Sequence, residues 1–439
     1  MTKQKNPKNF YIRTYGCQMN ELDSEIMVGQ LMQRGFNRVY TEDEGDILIY
    51  NTCSIRDLAE RKVMGKLGVL GRGDSRDKII GVTGCMAVAK KESLFKKLPH
   101  LDFVLGTNNI SDLGSIIDEV IHTGKQTSAL DKKFEEDLDY LAAKRDSSIS
   151  AHVSIIRGCD KYCTYCVVPY TRGREVSRPY EDVVNEVKKL VDDGYKEVTL
   201  LGQNVNSYGK DQKQWGVLFH DLLEKIDRTG IKRVRFLTSH PVDITKNLME
   251  AIRDLPSLCE FVHFPMQAGS NRILKKMHRI YTLEEYLEKV DMLREIVPGV
   301  ALGTDMIVGF PTESDEDFEQ TYSNMEQVNY STAFLYTYSP RQGTPAMRFK
   351  DDIPEEVKRQ RHTRLFELHK QQSFEQRLSM VGSSVEVLFE KWSDEGFLKG
   401  RTRCWRKVAA KGPSKMVGQI ASVKIESFQH ETLIGSLVL

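Results

Sequence analysis

Six strand-then-helix patterns follow one another between residues 152 and 338, and few folds can hold such a series. Strand candidates, short and rich in β-branched or apolar residues, lie at 152–157, 197–201, 233–238, 261–265, 302–310 and 333–338. Between them, helical spacing of apolar residues runs over 179–193, 242–255, 282–296 and 315–328. Parallel strands need long crossovers, and helices of this length supply them. Six such units predict a closed or partly closed parallel barrel, whose site should stand at the C-terminal ends of its strands.

A second series precedes this one. Residues 10–17 (FYIRTYGC), 46–53 (DILIYNTC) and 78–85 (KIIGVTGC) are apolar runs, each closed by a cysteine, with helix-like spacing between them. Successive strand-helix units predict a parallel sheet, and residues at strand C-termini then share one edge. Cys17, Cys53 and Cys85 are therefore expected to converge; the alternative is three unrelated core thiols.

Residues 8–124 thus form an α/β domain, and 125–148 lose periodicity and read as a polar linker. The barrel domain spans 149–377, including one charged connecting helix from residue 355 to about 380. Residues 378–439 carry short alternating strands (SVEVLFE, ASVKIES, TLIGSLVL) between glycine-containing turns, the pattern of a small OB-like β-barrel.

Charge narrows the function classes less than usual. Lys plus Arg number 63 and Asp plus Glu 62 in 439 residues, so any nucleic-acid site must be local. Neither a signal peptide nor an apolar run of membrane-spanning length is visible, which makes a cytoplasmic protein without a membrane partner the expectation. Eight cysteines in a reducing compartment point to metal ligands or buried thiols rather than disulfides.

The sharpest motif is RGCDKYCTYC, where Cys159, Cys163 and Cys166 follow the first barrel strand as C-x3-C-x2-C. Three thiolates this close can hold three irons of a [4Fe-4S] cluster and leave the fourth open to a small molecule. A closed zinc site needs four ligands, usually as two pairs, and no second pair follows. Cys259, before an apolar strand, reads as a core thiol, and Cys404 lies between basic residues as an incidental one.

The triplet resembles the radical S-adenosylmethionine (SAM) superfamily. There the cofactor's methionyl amine and carboxylate chelate the open iron, and reduction releases a 5'-deoxyadenosyl radical. Around it, YGCQMNE (15–21), NTCSIRDLAERKV (51–63), VTGCMA (82–87) and CVVPYTRGREVSRP (166–179) resemble the methylthiotransferases, most closely the MiaB-type tRNA branch. The GCQMN and NTCSIR motifs set the chain apart from the branch that modifies a ribosomal protein.

The resemblance covers nearly the whole chain and implies the rest of the site. Cys17, Cys53 and Cys85 would carry an auxiliary [4Fe-4S] cluster for sulfur, while Cys159, Cys163 and Cys166 carry the catalytic one. Tyr165, Gln203, Asn204, Ser239, Gln267 and Asp305 stand where the superfamily contacts SAM. Two SAM molecules would be used per methylthio group, placed on carbon 2 of an isopentenylated adenosine beside the anticodon. A low-potential donor such as flavodoxin or ferredoxin would supply electrons to what is expected to be a monomer. The C-terminal segment resembles the TRAM domain. Two other functions stay open: methylthiolation of a ribosomal protein, and RNA binding by a non-enzymatic iron-sulfur protein.

From residue 399 to 424 there are eight basic residues and no acidic one. Within it Lys399, Arg401, Arg403, Trp405, Arg406 and Lys407 are the expected RNA contacts, suited to phosphates and stacked loop bases. Arg157, Arg172 and Arg174, flanking the second triplet, are equally compatible with RNA backbone contacts at the barrel mouth and with internal ion pairs. The target base, bound for a buried centre, should be splayed out of its loop.

Overall fold

The computed structural model describes residues 7–54, 57–71, 77–91, 93–130, 140 and 143–438. Parts of the NTCSIRDLAERKV motif and of the expected linker lie outside these residues.

The first domain is a parallel sheet of β1 (Asn9–Tyr15), β2 (Asn37–Arg38), β3 (Ile47–Thr52), β4 (Ile79–Thr83), β5 (Phe103–Leu105) and β6 (Thr127–Ala129), ordered β2-β1-β3-β4-β5-β6. Every residue of β3 and β4 is buried, as a central parallel strand covered on both faces requires. Helices Gln18–Gln33 and Leu113–Thr123 cover one face around Leu22, Ile26 and Ile117. On the other face Val63 and Leu67 pack against Leu48, Tyr50 and Val82. Strand β6 lies inside the stretch expected to be linker; it is a short edge strand paired to β5, too brief to leave a periodic signal.

The central domain holds β7 (Ser150–Ser154), a small antiparallel pair β8 (Ile156–Arg157) and β9 (Val176–Ser177), then β10 (Glu197–Leu201), β11 (Arg233–Phe236), β12 (Phe261–His263), β13 (Ala301–Val308) and β14 (Thr332–Thr337). Two three-stranded parallel sheets, β11-β10-β7 and β12-β13-β14, join through a bridge between Val234 and Leu258. The result is an open barrel of six parallel strands, as expected. Alternate residues Val198, Leu200, Val234, Phe236, Val262 and Phe264 pack outward under the helices in one apolar core. Their neighbours Glu197, Arg233, Arg235, Phe261 and His263 therefore point into the barrel.

Helix Glu355–Met380 lies along β14 and leads to a closed five-stranded barrel of β15 (Ser384–Trp392), β16 (Phe397–Thr402), β17 (Lys407–Lys411), β18 (Ile420–Gln429) and β19 (Thr432–Leu437), ordered β15-β16-β17-β19-β18. Strands β16 and β17 and the start of β18 fall in the basic run. No helix among the described residues is long and apolar enough to cross a membrane.

Candidate active site

The segments that end in the three N-terminal cysteines reach one edge of the sheet because their strands β1, β3 and β4 are parallel neighbours. Cys17 caps helix Gln18–Gln33, Cys53 follows β3, with its amide donating to the Tyr15 carbonyl at 2.9 Å, and Cys85 opens helix Cys85–Lys90. Two asparagines hold these loops in register. Asn20 Nδ2 donates to Asn51 Oδ1 at 3.0 Å, and Asn51 Nδ2 donates back to the Asn20 carbonyl at 2.8 Å. Gly84 has φ +92°, and a Cβ there would meet Asn51 Oδ1 at 2.5 Å, so glycine is required just before Cys85. The Cys53 thiol donates to Cys17, whose pKa falls to about 5 against the opposing effect of burial; the charge of Arg172 adds to the fall.

The second triplet sits where β7 and β8 leave the barrel. Gly158, φ +75°, lets the chain turn; a Cβ would stand 1.9 Å from the Arg174 carbonyl. Its amide donates to Gln203 Oε1 at 2.6 Å, and the Cys159 amide donates to the Gly173 carbonyl at 3.2 Å. Gln203 thus ties the cysteine loop to the end of β10. Burial lifts the Cys159 and Cys166 thiols to about 12, and neighbouring Cys163 adds to both. A metal must replace those protons for thiolates to form.

Donors aimed at sulfur fit an iron-sulfur group. The Val168 amide approaches Cys166 Sγ at 3.5 Å, and Arg279 Nη1 approaches Cys163 Sγ at 3.4 Å. Such N–H groups tune cluster sulfurs and thiolates. Among the described residues no three of His, Cys, Asp and Glu come close enough to share one metal ion.

The strand ends carry further signs of a ligand. Backbone φ is positive at Tyr162, Thr238, Gln267 and Thr312, all in loops on the C-terminal side of the barrel, where strain of this kind gathers around function. Ser239 Oγ, His240 Nε2 and His263 Nδ1 are buried polar atoms with no hydrogen-bond partner among the described residues. Native interiors satisfy such atoms, so a bound molecule is their expected partner. Tyr165 is packed beside Cys163 and Arg279. Asn204 is bound to Asp243 at 2.7 Å and to the His240 amide at 3.1 Å. Gln267 bridges to β13, and Asp305 pairs with His263 at 3.2 Å inside the barrel.

Residues invisible as site candidates in the sequence organise this rim. Asp243 binds Lys161 at 2.7 Å and Lys210 at 2.6 Å. Burial opposes its charge, yet the two lysines and Asn204 bring its pKa down to about 2. Burial, with Arg279 and Lys161 nearby, pushes His240 down to about 2, so it is neutral.

The segments that carry the two triplets are joined across the domain seam. Asp23, on the helix capped by Cys17, accepts hydrogen bonds from Arg157, just before the second triplet, and from Arg172, just after it, at 3.0 Å. Helix Val168–Thr171, which follows Cys166, packs on helix Cys85–Lys90, and Thr107 Oγ1 donates to the Thr171 carbonyl at 2.7 Å. Arg157 and Arg172 are thereby internal ion pairs, not backbone contacts for RNA. Exposed Arg174 pairs with Asp160 at 2.7 Å.

The basic run is not uncompensated in three dimensions. Arg403 binds Glu260 at 2.7 Å and the carbonyl of Pro256 at 3.1 Å. Trp405 stacks on Phe261 at 5.6 Å, under Arg235 at 4.7 Å. Arg406 reaches Gln376 of the connecting helix. These three, expected to contact RNA, join the C-terminal barrel to the central one. Arg401 lies 3.5 Å from Glu390 and Lys407 2.9 Å from Glu431. Lys399 and Lys411 are exposed on the outward face of β16 and β17, with Lys391 of β15 paired to Lys399. Cys259 is buried, as expected of a core thiol, and Cys404 touches Thr402 Oγ1 at 3.1 Å.

Comparison with known proteins agrees with this division. Residues 153–325 match the radical SAM superfamily, 9–106 match "Uncharacterized protein family UPF0004", and 378–438 match the TRAM domain. A tRNA-2-methylthio-N(6)-dimethylallyladenosine synthase from Protochlamydia amoebophila is 63% identical over 98% of this chain and 96% of its own length. One from Clostridium botulinum is 45% identical over 97% and 96%. Among solved structures, a radical SAM methyltransferase from Kitasatospora setae, TsrM, with cobalamin and a [4Fe-4S] cluster bound, aligns with TM-score 0.56 at 12% identity, covering 78% of this chain and 77% of its own; that likeness is one of fold. With near full-length identity of this order, the chain belongs to the tRNA-2-methylthio-N(6)-dimethylallyladenosine synthase family of radical SAM enzymes.

Proposed function

We propose that this enzyme replaces the C2 hydrogen of N(6)-dimethylallyladenosine, beside the anticodon of tRNA, with a methylthio group. One [4Fe-4S] cluster would sit on Cys159, Cys163 and Cys166, a second on Cys17, Cys53 and Cys85, and two SAM molecules would be used. The carrying observation is the seam at Asp23, where the loop of one cysteine triplet is ion-paired to the helix of the other. An arrangement that brings two thiol sets together suits a reaction needing both at one substrate. When bound, these groups supply what side chains cannot: a radical to remove an aryl hydrogen, a sulfur atom and a methyl group.

The chain's own residues position the reactants. Gln203 fixes the cysteine loop. Ser239 and His240 offer unspent hydrogen-bonding atoms at the rim; neutral His240, whose Nδ1 accepts from the Val242 amide at 3.3 Å, presents Nε2–H as a donor to a bound carboxylate. Lys399, Arg401, Lys407 and Lys411, with Lys391, form the outward face for the RNA backbone. The relatives' substrate, named in their activity, supports adenosine in tRNA over a ribosomal protein.

Mass spectrometry of nucleosides from a deletion strain should show loss of the methylthio group with the dimethylallyl group retained, restored by this chain. Unchanged tRNA together with a ribosomal peptide lighter by one methylthio group would refute the reading. A strain in which neither changes would point to an RNA-binding protein without this activity. Anaerobically reconstituted protein should hold about eight irons per chain, and the Cys17, Cys53, Cys85 to Ala variant about half.

A further inference from the structure

Arg172 is a buried guanidinium, 3% exposed, whose donors are only partly used inside the protein. Its Nη2 donates to Asp23 Oδ2 at 3.0 Å, while Nη1 is shielded from water and has no partner among the described residues. Leaving a buried charged N–H unpaired is costly, and a site that keeps one usually has a ligand for it. The side chain lies at the N-terminal triplet, on the segment that follows the second one. It follows the short helix Val168–Thr171 that packs on helix Cys85–Lys90, and its charge acts on both Cys17 and Cys85.

Asp23 sets the direction of that N–H. Its two oxygens are taken by Arg157 and by Arg172 Nη2, so the planar guanidinium is anchored at one corner and Nη1 is left unspent. From this juxtaposition we propose that Arg172 Nη1 donates a hydrogen bond to a sulfur of the iron-sulfur group held by Cys17, Cys53 and Cys85, with Asp23 as the positioning residue. The inference rests on the two-cluster reading above. A fixed positive donor beside an anionic cluster favours its reduced, more negative form and raises its potential.

The test uses the full chain with Cys159, Cys163 and Cys166 replaced by Ala, so that only the N-terminal group loads. Iron content and a redox titration followed by electron paramagnetic resonance are compared for this parent and for its Arg172→Gln and Arg172→Lys derivatives. The parent should hold about four irons. Arg172→Gln should load equally and shift the reduction equilibrium at least about tenfold toward the oxidised form, about 59 mV for one electron. Arg172→Lys, which keeps the charge, should stay within about threefold of the parent. Equal loading with an unshifted equilibrium in Arg172→Gln overturns the proposal. If Arg172→Gln does not fold or load, Arg172→Lys decides, and a tenfold shift there overturns it. A parent without iron refutes the two-cluster reading itself and removes this proposal with it.

Discussion

Replacing Arg235 by Met should undock the C-terminal barrel while leaving both cysteine triplets in place. Arg235 rises from β11 into the barrel and donates to Glu197 Oε2 at 2.8 Å, to the Thr402 carbonyl at 2.7 Å and to the Arg403 carbonyl at 2.6 Å. Its side chain and that of Glu197 are 1% and 5% exposed. Methionine fills much of the volume but strands the Glu197 charge and two carbonyls, and breaking a buried pair from one side costs about 3–5 kcal/mol. At about 1.4 kcal/mol per tenfold, the ratio of docked to undocked forms should fall by about a hundred- to several-thousand-fold. Native-state hydrogen exchange across residues 402–406 reads that opening. Adding Glu197→Gln removes the stranded charge and should recover at least about 1 kcal/mol, a non-additivity expected of neighbours. Protection changed less than tenfold in Arg235→Met, or a double variant no better than the single, would refute the account.

Three further outcomes are expected. Cys163→Ala should abolish 5'-deoxyadenosine formation, whereas Cys53→Ala should stop methylthio transfer and keep some SAM cleavage; product analysis of both reactions separates them. Replacing Lys399 and Lys411 by Ala should lower the slope of tRNA affinity against salt by about two on a log-log plot, and an unchanged slope would place the RNA elsewhere. His369 accepts from the Ala333 amide at 3.2 Å, and burial, with Arg406 and Arg377 close by, depresses its pKa to about 4 from an ordinary 6.5. Its contribution to stability is therefore complete above pH 6.5 and fades as pH falls toward 4, so thermal melts of His369→Gln should lose part of the wild-type decline over that interval.

Much of the architecture was legible because it depends on short-range pattern. Strand β10 and the connecting helix fall where periodicity places them, and the three strand-end cysteines follow from parallel topology alone. What escaped depends on partners far along the chain. Arg403 is one more arginine in a basic run until Glu260, 143 residues earlier, is seen beside it. Asp23 looks like a helix-surface carboxylate, and only the fold shows that it holds two arginines of another domain. Strands β16 and β17 were masked by their own charge: FLKGRT and KVAAK alternate weakly, so the eye takes the lysines and arginines for a binding stretch. The positions that the resemblance assigns to SAM could be named only through that resemblance; among them Ser239 keeps a buried unsatisfied hydroxyl, while Gln203 is engaged by the Gly158 amide.

The turn between β16 and β17 also carries a consequence for how the molecule is made. Arg235 needs a carbonyl that lies 168 residues downstream. On a ribosome adding about 5–20 residues per second, that partner arrives about 8–34 s after Arg235 itself has been joined to the nascent chain. Until then the barrel interior holds an arginine matched by Glu197 alone, and Phe261 lacks the indole that stacks on it. The central domain therefore emerges with an unfinished floor, and translation that stops before residue 402 should leave a soluble-looking intermediate that cannot settle.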